Sequence, residues 1–403
     1  MANTLNLGNG NWATKEDSLL AYNNENNNFK PLPFDFTRAS SATVVNKAGL
    51  IETVGGGEPR IDFSNDAKGA LLLEPSRTNL VTSSNFKSGW SLLSGGSITQ
   101  NQSISPDGTQ NAAILSGDGA NANAAFTSIT VSIQEYTYSM FAKKGSEYIL
   151  KMIGFSAGAN GGVEFNLNDG TIETSSAGTF SNEKIEDYGN GWYRCSVKVT
   201  VTSSGSKLFG FNREAIVSGD LFSVYGAQLE QGSYATSYIP TQGSAVTRSA
   251  DVCDNGGNEQ VINSTEGVLY FEGSVDKKVM SSLGLSDGSG VYNNTVAILF
   301  NLDSINQITS IYRSNNITTF STVPLPLNFN KIAIRYFSNT LELWLNGVMV
   351  GSETFTTQIA SNVLNSFKFE KSNNTLPFYG KTREVKLYNT ALTDAELAAL
   401  TTI

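Results

Sequence analysis

Apolar residues in this chain recur at every second position, in short runs, and clusters of Gly, Ser, Asn and Asp separate the runs. Tyr136, Tyr138, Met140 and Ala142 alternate with polar neighbours, as do Cys195, Val197, Val199 and Val201, and later Leu341, Leu343 and Leu345. A period of two puts successive side chains on opposite faces of a strand, and many short strands between turn formers make sandwiches or barrels. With 38 Gly and only 16% charged residues among 403, the chain is short of helix formers, so an all-β protein is expected. Its length suits two or three domains, each with its own core.

Two local signals are sharper than the rest. Asn346-Gly347 between apolar strands predicts a type I′ hairpin, since both residues tolerate positive φ. Thr393 followed by Glu396 forms a capping box, with Leu392 and Leu397 at the staple positions, so one short helix begins there with Leu397 and Leu400 facing inward.

Several function classes are disfavoured. Histidine is absent, which removes the commonest general base and the commonest metal ligand. The net charge of −9, with no clustered Lys and Arg, argues against nucleic acid as a partner. No apolar stretch approaches the roughly 18 residues of a membrane helix, and no signal-peptide pattern follows Met1, so membrane insertion and secretory export are not expected. Cys195 and Cys253 fall in different predicted domains, and Cys195 reads as a small buried hydrophobe rather than half of a disulfide. Gly55-Gly56-Gly57 and Gly95-Gly96 lack the Lys and helix of a phosphate loop and read as turns.

Along the chain, residues 1–30 carry one apolar cluster at Leu19, Leu20 and Tyr22 and then the tract Asn23–Asn28, which reads either as a tether or docking arm or as a frayed terminus. Residues 31–82 hold three patches that combine Arg with apolar neighbours. There Asp35, Asp62 and Glu74 stand near Arg38, Arg60 and Arg77, and hairpins stapled by ion pairs are expected. Residues 83–250 and 251–403 are expected to form two β-sandwich domains.

The run from Tyr225 to Arg248 and the segment Gly191 to Arg194 resemble jelly-roll modules of bacteriophage tail and appendage proteins, akin to the carbohydrate-binding jelly rolls of glycosidases. Residues 31–82 are similar to the segment that precedes such modules. Leu343 to Gly351, with Phe378 to Leu397, resembles the hairpin, terminal strand and helix of laminin G-like and concanavalin A-like sandwiches. The architecture implied is an extended N-terminal segment, then a jelly roll, then a concanavalin A-like sandwich.

Glucanases of that fold carry a Glu-x-Asp-x-x-Glu strand, and no such spacing occurs in residues 251–403, so no catalytic residues and no enzyme activity are expected. Sugar binding needs only aromatic faces and a few amide or carboxylate groups. Trp344 lies on the face opposite Leu343 and Leu345 and is either core or ligand platform. Trp192 reads as core and Trp90 as packing for an entry loop. Tyr292 and Tyr312, with Asp287 and Asn293 as hydrogen-bonding partners, complete the glycan candidates. No cofactor or metal site is expected from the residues. The resemblance alone implies a structural Ca²⁺, for which Asp287, Asp303 and Asp220 are the candidate ligands without a loop of ligand spacing.

Together the resemblances imply a virion fibre or appendage subunit, assembled in the host cytoplasm. It would dock to other virion proteins through its N-terminal region, assemble as a homotrimer and bind host surface polysaccharide. The alternatives are a decoration, neck or baseplate protein that binds no sugar, and a polysaccharide depolymerase.

Overall fold

The computed structural model describes residues 2–22, 31–64, 66–93, 95–120, 124–155, 161–175, 180–212, 218–275, 280–301, 306–315, 317–325 and 329–403. Within them the chain is nearly all β, in several sandwich sheets, with the single helix Asp394–Thr401. It divides into two compact units. One comprises Met1–Ser40, Val54–Pro75 and Ala250–Ile403; the other comprises Ser41–Thr53 and Ser76–Ser249.

The first unit is a sandwich of a 12-stranded sheet and a five-stranded sheet, whose strands pair antiparallel among the described residues. Leu269 and Phe271 of strand Gly267–Val275 point inward, as do Val385 and Leu387 of Gly380–Tyr388 and Leu341, Leu343 and Leu345 of Thr340–Leu345. They meet Leu283, Ile298, Phe300 and Ile308 of the five-stranded sheet. Each such side chain contributes about 1.5–3 kcal/mol on burial. The expected hairpin forms: Asn346 and Gly347 have φ of 49° and 91° and join Thr340–Leu345 to Val348–Thr354. The expected capping box forms as well, with Thr393 and Glu396 bonded to each other's backbone.

The N-terminal residues belong to this sandwich. Strand Leu5–Gly8 pairs with Gly380–Tyr388 in the register Leu5↔Leu387, and Leu5, Leu7 and Leu19 are fully buried. A free tether over residues 1–30 therefore does not describe 2–22, whose apolar positions fill core places beside strands almost the whole chain away. The Asn23–Asn28 tract lies outside the described residues. The boundaries expected at 30, 82 and 250 were contiguous along the chain, whereas the compact units are not.

Of the residues expected to pair within 31–82, Arg60 and Glu74 do so, and the others take different partners. Arg38 and Arg60 both reach Asp251, and Arg60 also binds Glu74 at 2.7 Å. Asp62 takes Lys381 instead, Asp35 accepts from Asn255, and Arg77 stands 3.8 Å from Glu230. Sequence proximity offered the nearest opposite charge; strand pairing delivered a distant one.

The second unit is a sandwich of two six-stranded antiparallel sheets closed on one core. Tyr136, Tyr138, Met140, Ala142, Cys195, Val197, Val199 and Val201 all lie in it, as their alternation required. Trp192 is buried in a neighbouring aromatic cluster, its indole N–H donating to Ile104 O at 3.0 Å. Trp90 packs on Phe86 and Phe211 and donates to Ser83 O. Cys195 and Cys253 are free thiols, buried in separate units.

The run Tyr225 to Arg248 owes its distinctive sequence to polar ties. Gln228 Oε1 accepts from Ile239 N–H at 2.7 Å, Glu230 accepts from Thr236, and Asn79 donates to Ala227 O and Ile239 O. These bonds fold the exit segment back onto the strand Ser218–Gln231 and give the buried Asn79, Gln228 and Glu230 side chains partners.

Candidate functional site

On the strand Gly267–Val275 the inward Leu269 and Phe271 alternate with outward Val268, Tyr270 and Glu272. The helix Asp394–Thr401 covers the first part of this outer face, where Leu392 and Leu397 pack on Val268, Tyr270, Ala333, Trp344 and Tyr388. Past the helix the face turns polar. Register sets Tyr270 opposite Lys386, and Glu272 opposite both Glu384 and Lys331.

A cleft of about 520 Å³ opens there, walled by Ala399 and Leu400 on one side and by Asn9, Asp66 and Lys68 on another. Gly8 makes the approach of the N-terminal strand feasible, since its φ is 93° and a Cβ would stand 2.3 Å from Arg383 O.

Two carboxylates directly opposite on neighbouring strands repel. Here each is engaged. Arg383 bridges Glu272 and Asp66, at 2.7 Å to each, and Lys386 lies 2.8 Å from Glu384 Oε1. The Tyr270 hydroxyl donates to Glu272 at 3.1 Å. Burial first, and then Glu272 and Glu384, push that hydroxyl far above the ordinary tyrosine range, so it remains a donor. Burial works to lower the Arg383 pKa, but its bonds to Glu272 and Asp66 outweigh it and the guanidinium is held above its usual value.

Glu272 and Glu384 are 8% and 3% exposed, which leaves their unused lone pairs facing the cleft rather than bulk water. Such a floor can accept hydrogen bonds from ligand hydroxyls, and its rim of lysines and Asn9 can donate.

The structure scatters the residues expected from sequence. Trp344 is 6% exposed under the helix, its indole N–H on Glu342 at 3.2 Å, and offers no face to a sugar. Tyr312 is 1% exposed, stacked 3.8 Å from Phe355, with its hydroxyl accepting from Ile359 N–H. Trp344 fills core because the helix covers the face that alternation alone left open, and Tyr312 because it shares the inward face of its strand with Ile308 and meets Tyr336 of the facing sheet.

Tyr292 is half-buried, but its ring carries the Arg313 guanidinium at 4.4 Å and Lys371 Nζ at 3.8 Å, so cations rather than solvent occupy its π surface. Asp287 accepts from Ser289 and Asn294 and shapes its own turn, and the half-buried Asn293 donates its N–H to Val291 O. Asp220 accepts from Ser116 in the other unit, and Asp303 lies outside the described residues. Among the described residues no three His, Cys, Asp or Glu side chains gather to hold a metal.

Sequence reasoning missed the cleft. Its strands, Gly267–Val275 and Gly380–Tyr388, are separated by more than 100 residues, and only their pairing brings Glu272 to Glu384. The local signal was the Tyr-x-Glu of one strand and the Arg-Glu-x-Lys of the other, charged positions that alternate with apolar ones.

Residues 270–398 match the family model of the concanavalin A-like lectin/glucanases superfamily. No curated protein matches the chain. Among solved structures, the carbohydrate-binding module of the Ruminococcus gnavus IT-sialidase bound to α2,3-sialyllactose aligns over 37% of this chain and 94% of that one, at 15% identity and TM-score 0.32. Domain 4 of a Geobacillus stearothermophilus extracellular arabinanase, in complex with arabinotriose, aligns over 42% and 84%, at 14% identity and TM-score 0.30. Mouse laminin α1 domains LG4–5 align over 80% and 92%, at 10% identity and TM-score 0.26.

Proposed function

We propose that this chain is a glycan-binding subunit of a bacteriophage appendage, with the outer-face cleft of the first unit as its saccharide site. The observation that carries the binding reading is the cleft itself: an open, polar concavity floored by Glu272 and Glu384 in a segment that matches a lectin and glucanase superfamily. Carboxylates, amides and lysine ammonium groups are the partners that sugar hydroxyls need. The virion assignment, assembly in the host cytoplasm and docking to other virion proteins rest on the sequence resemblance of the second unit. A homotrimer would raise a weak single-site affinity through multivalency.

No hydrolysis is part of the proposal. Glu272 and Glu384 are each already engaged by a cation, which suits acceptors better than an acid and nucleophile pair. Release of reducing ends from a bound polysaccharide would overturn that point.

The burial of Trp344 and Tyr312 favours a second reading, a decoration, neck or baseplate protein without sugar affinity. The test that separates them is binding of the labelled full-length protein to host cells before and after removal of surface polysaccharide. Saturable binding that is lost on stripping and lost in Glu272→Gln supports the glycan site. Folded protein that binds neither preparation moves the assignment to the structural reading.

A further inference from the structure

The cleft is not electrically balanced. Four cations, Lys68, Lys331, Arg383 and Lys386, line it against three carboxylates, Asp66, Glu272 and Glu384, in a chain whose net charge is −9. The pairing among them is selective. Arg383 takes Glu272 and Asp66, and Lys386 takes Glu384.

Lys331 and Lys68 are left with neutral acceptors. Lys331 Nζ donates to the Thr402 carbonyl at 2.8 Å, and Lys68 Nζ donates to Asn9 Oδ1 at 2.7 Å. Each ammonium carries three donors, so one bond apiece leaves two to spare. Lys331 stands on the sheet beside Glu272, by register, while Lys68 is exposed on the loop that forms the rim. The floor thus presents acceptors and the two lysines present unneutralised donors.

A ligand that satisfies both must carry hydroxyls and anionic groups together. A neutral sugar can accept hydrogen bonds from the lysines but leaves their charge unmatched. A ligand made only of oxyanions, such as a phosphate chain, would meet repulsion from Glu272 and Glu384.

We propose that the cleft takes an acidic saccharide, with Lys331 and Lys68 receiving its carboxylates and Glu272, Glu384 and Asn9 its hydroxyls. This rests on the glycan reading above and narrows it to one class. Charge-assisted bonds to carboxylate are roughly twice as strong as neutral ones. Lysines at a water-exposed rim are screened by salt, so part of the affinity is salt-sensitive.

The test compares oligouronides with their fully methyl-esterified forms, at equal chain length and fixed ionic strength, by calorimetric titration of the full-length protein. The acids are expected to bind about tenfold more tightly than the esters, the scale of one charge-assisted bond. Their advantage should shrink as sodium chloride is raised. Lys331→Gln and, independently, Lys68→Gln should each reduce that preference, and the double variant should remove most of it, while the thermal midpoint stays in place. Glu272→Gln should weaken acids and esters alike. Equal binding of acids and esters, unaffected by either lysine variant, overturns the acidic specificity and leaves the glycan reading standing. Binding of neither form by folded protein overturns both.

Discussion

Two of the arginine–carboxylate networks in the first unit differ in whether they are closed. Arg38, Arg60, Glu74 and Asp251 form the first, with the side chains of Arg38, Arg60 and Asp251 wholly inaccessible and Glu74 at 6%. Most donors and acceptors of that network are met from within. Asp251 accepts from both arginines and from Glu74 N–H, while Arg38 also donates to the carbonyls of Ser40 and Gly55. The second network, in the cleft, has Arg383 28% exposed and two lysines, Lys331 and Lys68, that donate to neutral acceptors. The contrast teaches that a closed ion network holds the chain together, and an open one is available to a ligand.

The closed network has a topological reason. Arg38, Gly55, Glu74 and Asp251 stand close to the four points where the chain passes between its two units. A fold with an interrupted first unit needs its separate segments fixed to one another, and Asp251 ties three of them at once. Burial works to lower the Arg60 pKa, but Glu74 and Asp251 outweigh it and hold the guanidinium charged.

The largest effect is expected from Asp251→Ala, which strands two buried guanidinium groups. Unfolding by denaturant should lose about 3–5 kcal/mol. A loss below about 1 kcal/mol would erase the distinction between the networks. Next is a pH effect at Asp254, a carboxylate whose pKa is raised to about 7, first by burial and then by Glu370. Its folded-state pKa lies above its unfolded value, so the folded protein holds the proton longer. Its contribution is full below about pH 4 and is lost as pH rises through about 7. Asp254→Asn should therefore flatten the stability profile between those values; an unchanged profile would remove Asp254 as its cause.

Glu272→Gln in the open network should cost only about 1 kcal/mol of stability, because Arg383 retains Asp66 and the amide oxygen still accepts a hydrogen bond. A penalty as large as that of Asp251→Ala would mean the cleft is a structural staple too. Smallest of all is Lys331→Gln, expected within about 0.5 kcal/mol of the parent by thermal denaturation while acidic-saccharide affinity falls.

How much of this was legible beforehand depends on the reach of the pattern. The strand faces at Tyr136–Ala142 and Cys195–Val201, the Asn346-Gly347 turn and the Thr393 cap were all readable because each is decided within a few residues. Trp344 shows the limit. Its strand, its orientation opposite Leu343, and the helix with inward Leu397 were each foreseen, yet the sequence did not say that this helix lies on that tryptophan. Leu5 and Leu7 show the same limit at longer range, since nothing local marks them as neighbours of Leu387 and Val385.

By itself, then, the sequence determined the β class, the in-or-out alternation of most strands, the C-terminal helix and the sharp hairpin, because backbone geometry and turn chemistry are local. Only the tertiary structure decided which aromatic residues are core, which distant acid answers each arginine, and that Glu272 and Glu384 share one cleft. Strand pairing joins residues hundreds of positions apart, and no spacing along the chain encodes which edge meets which.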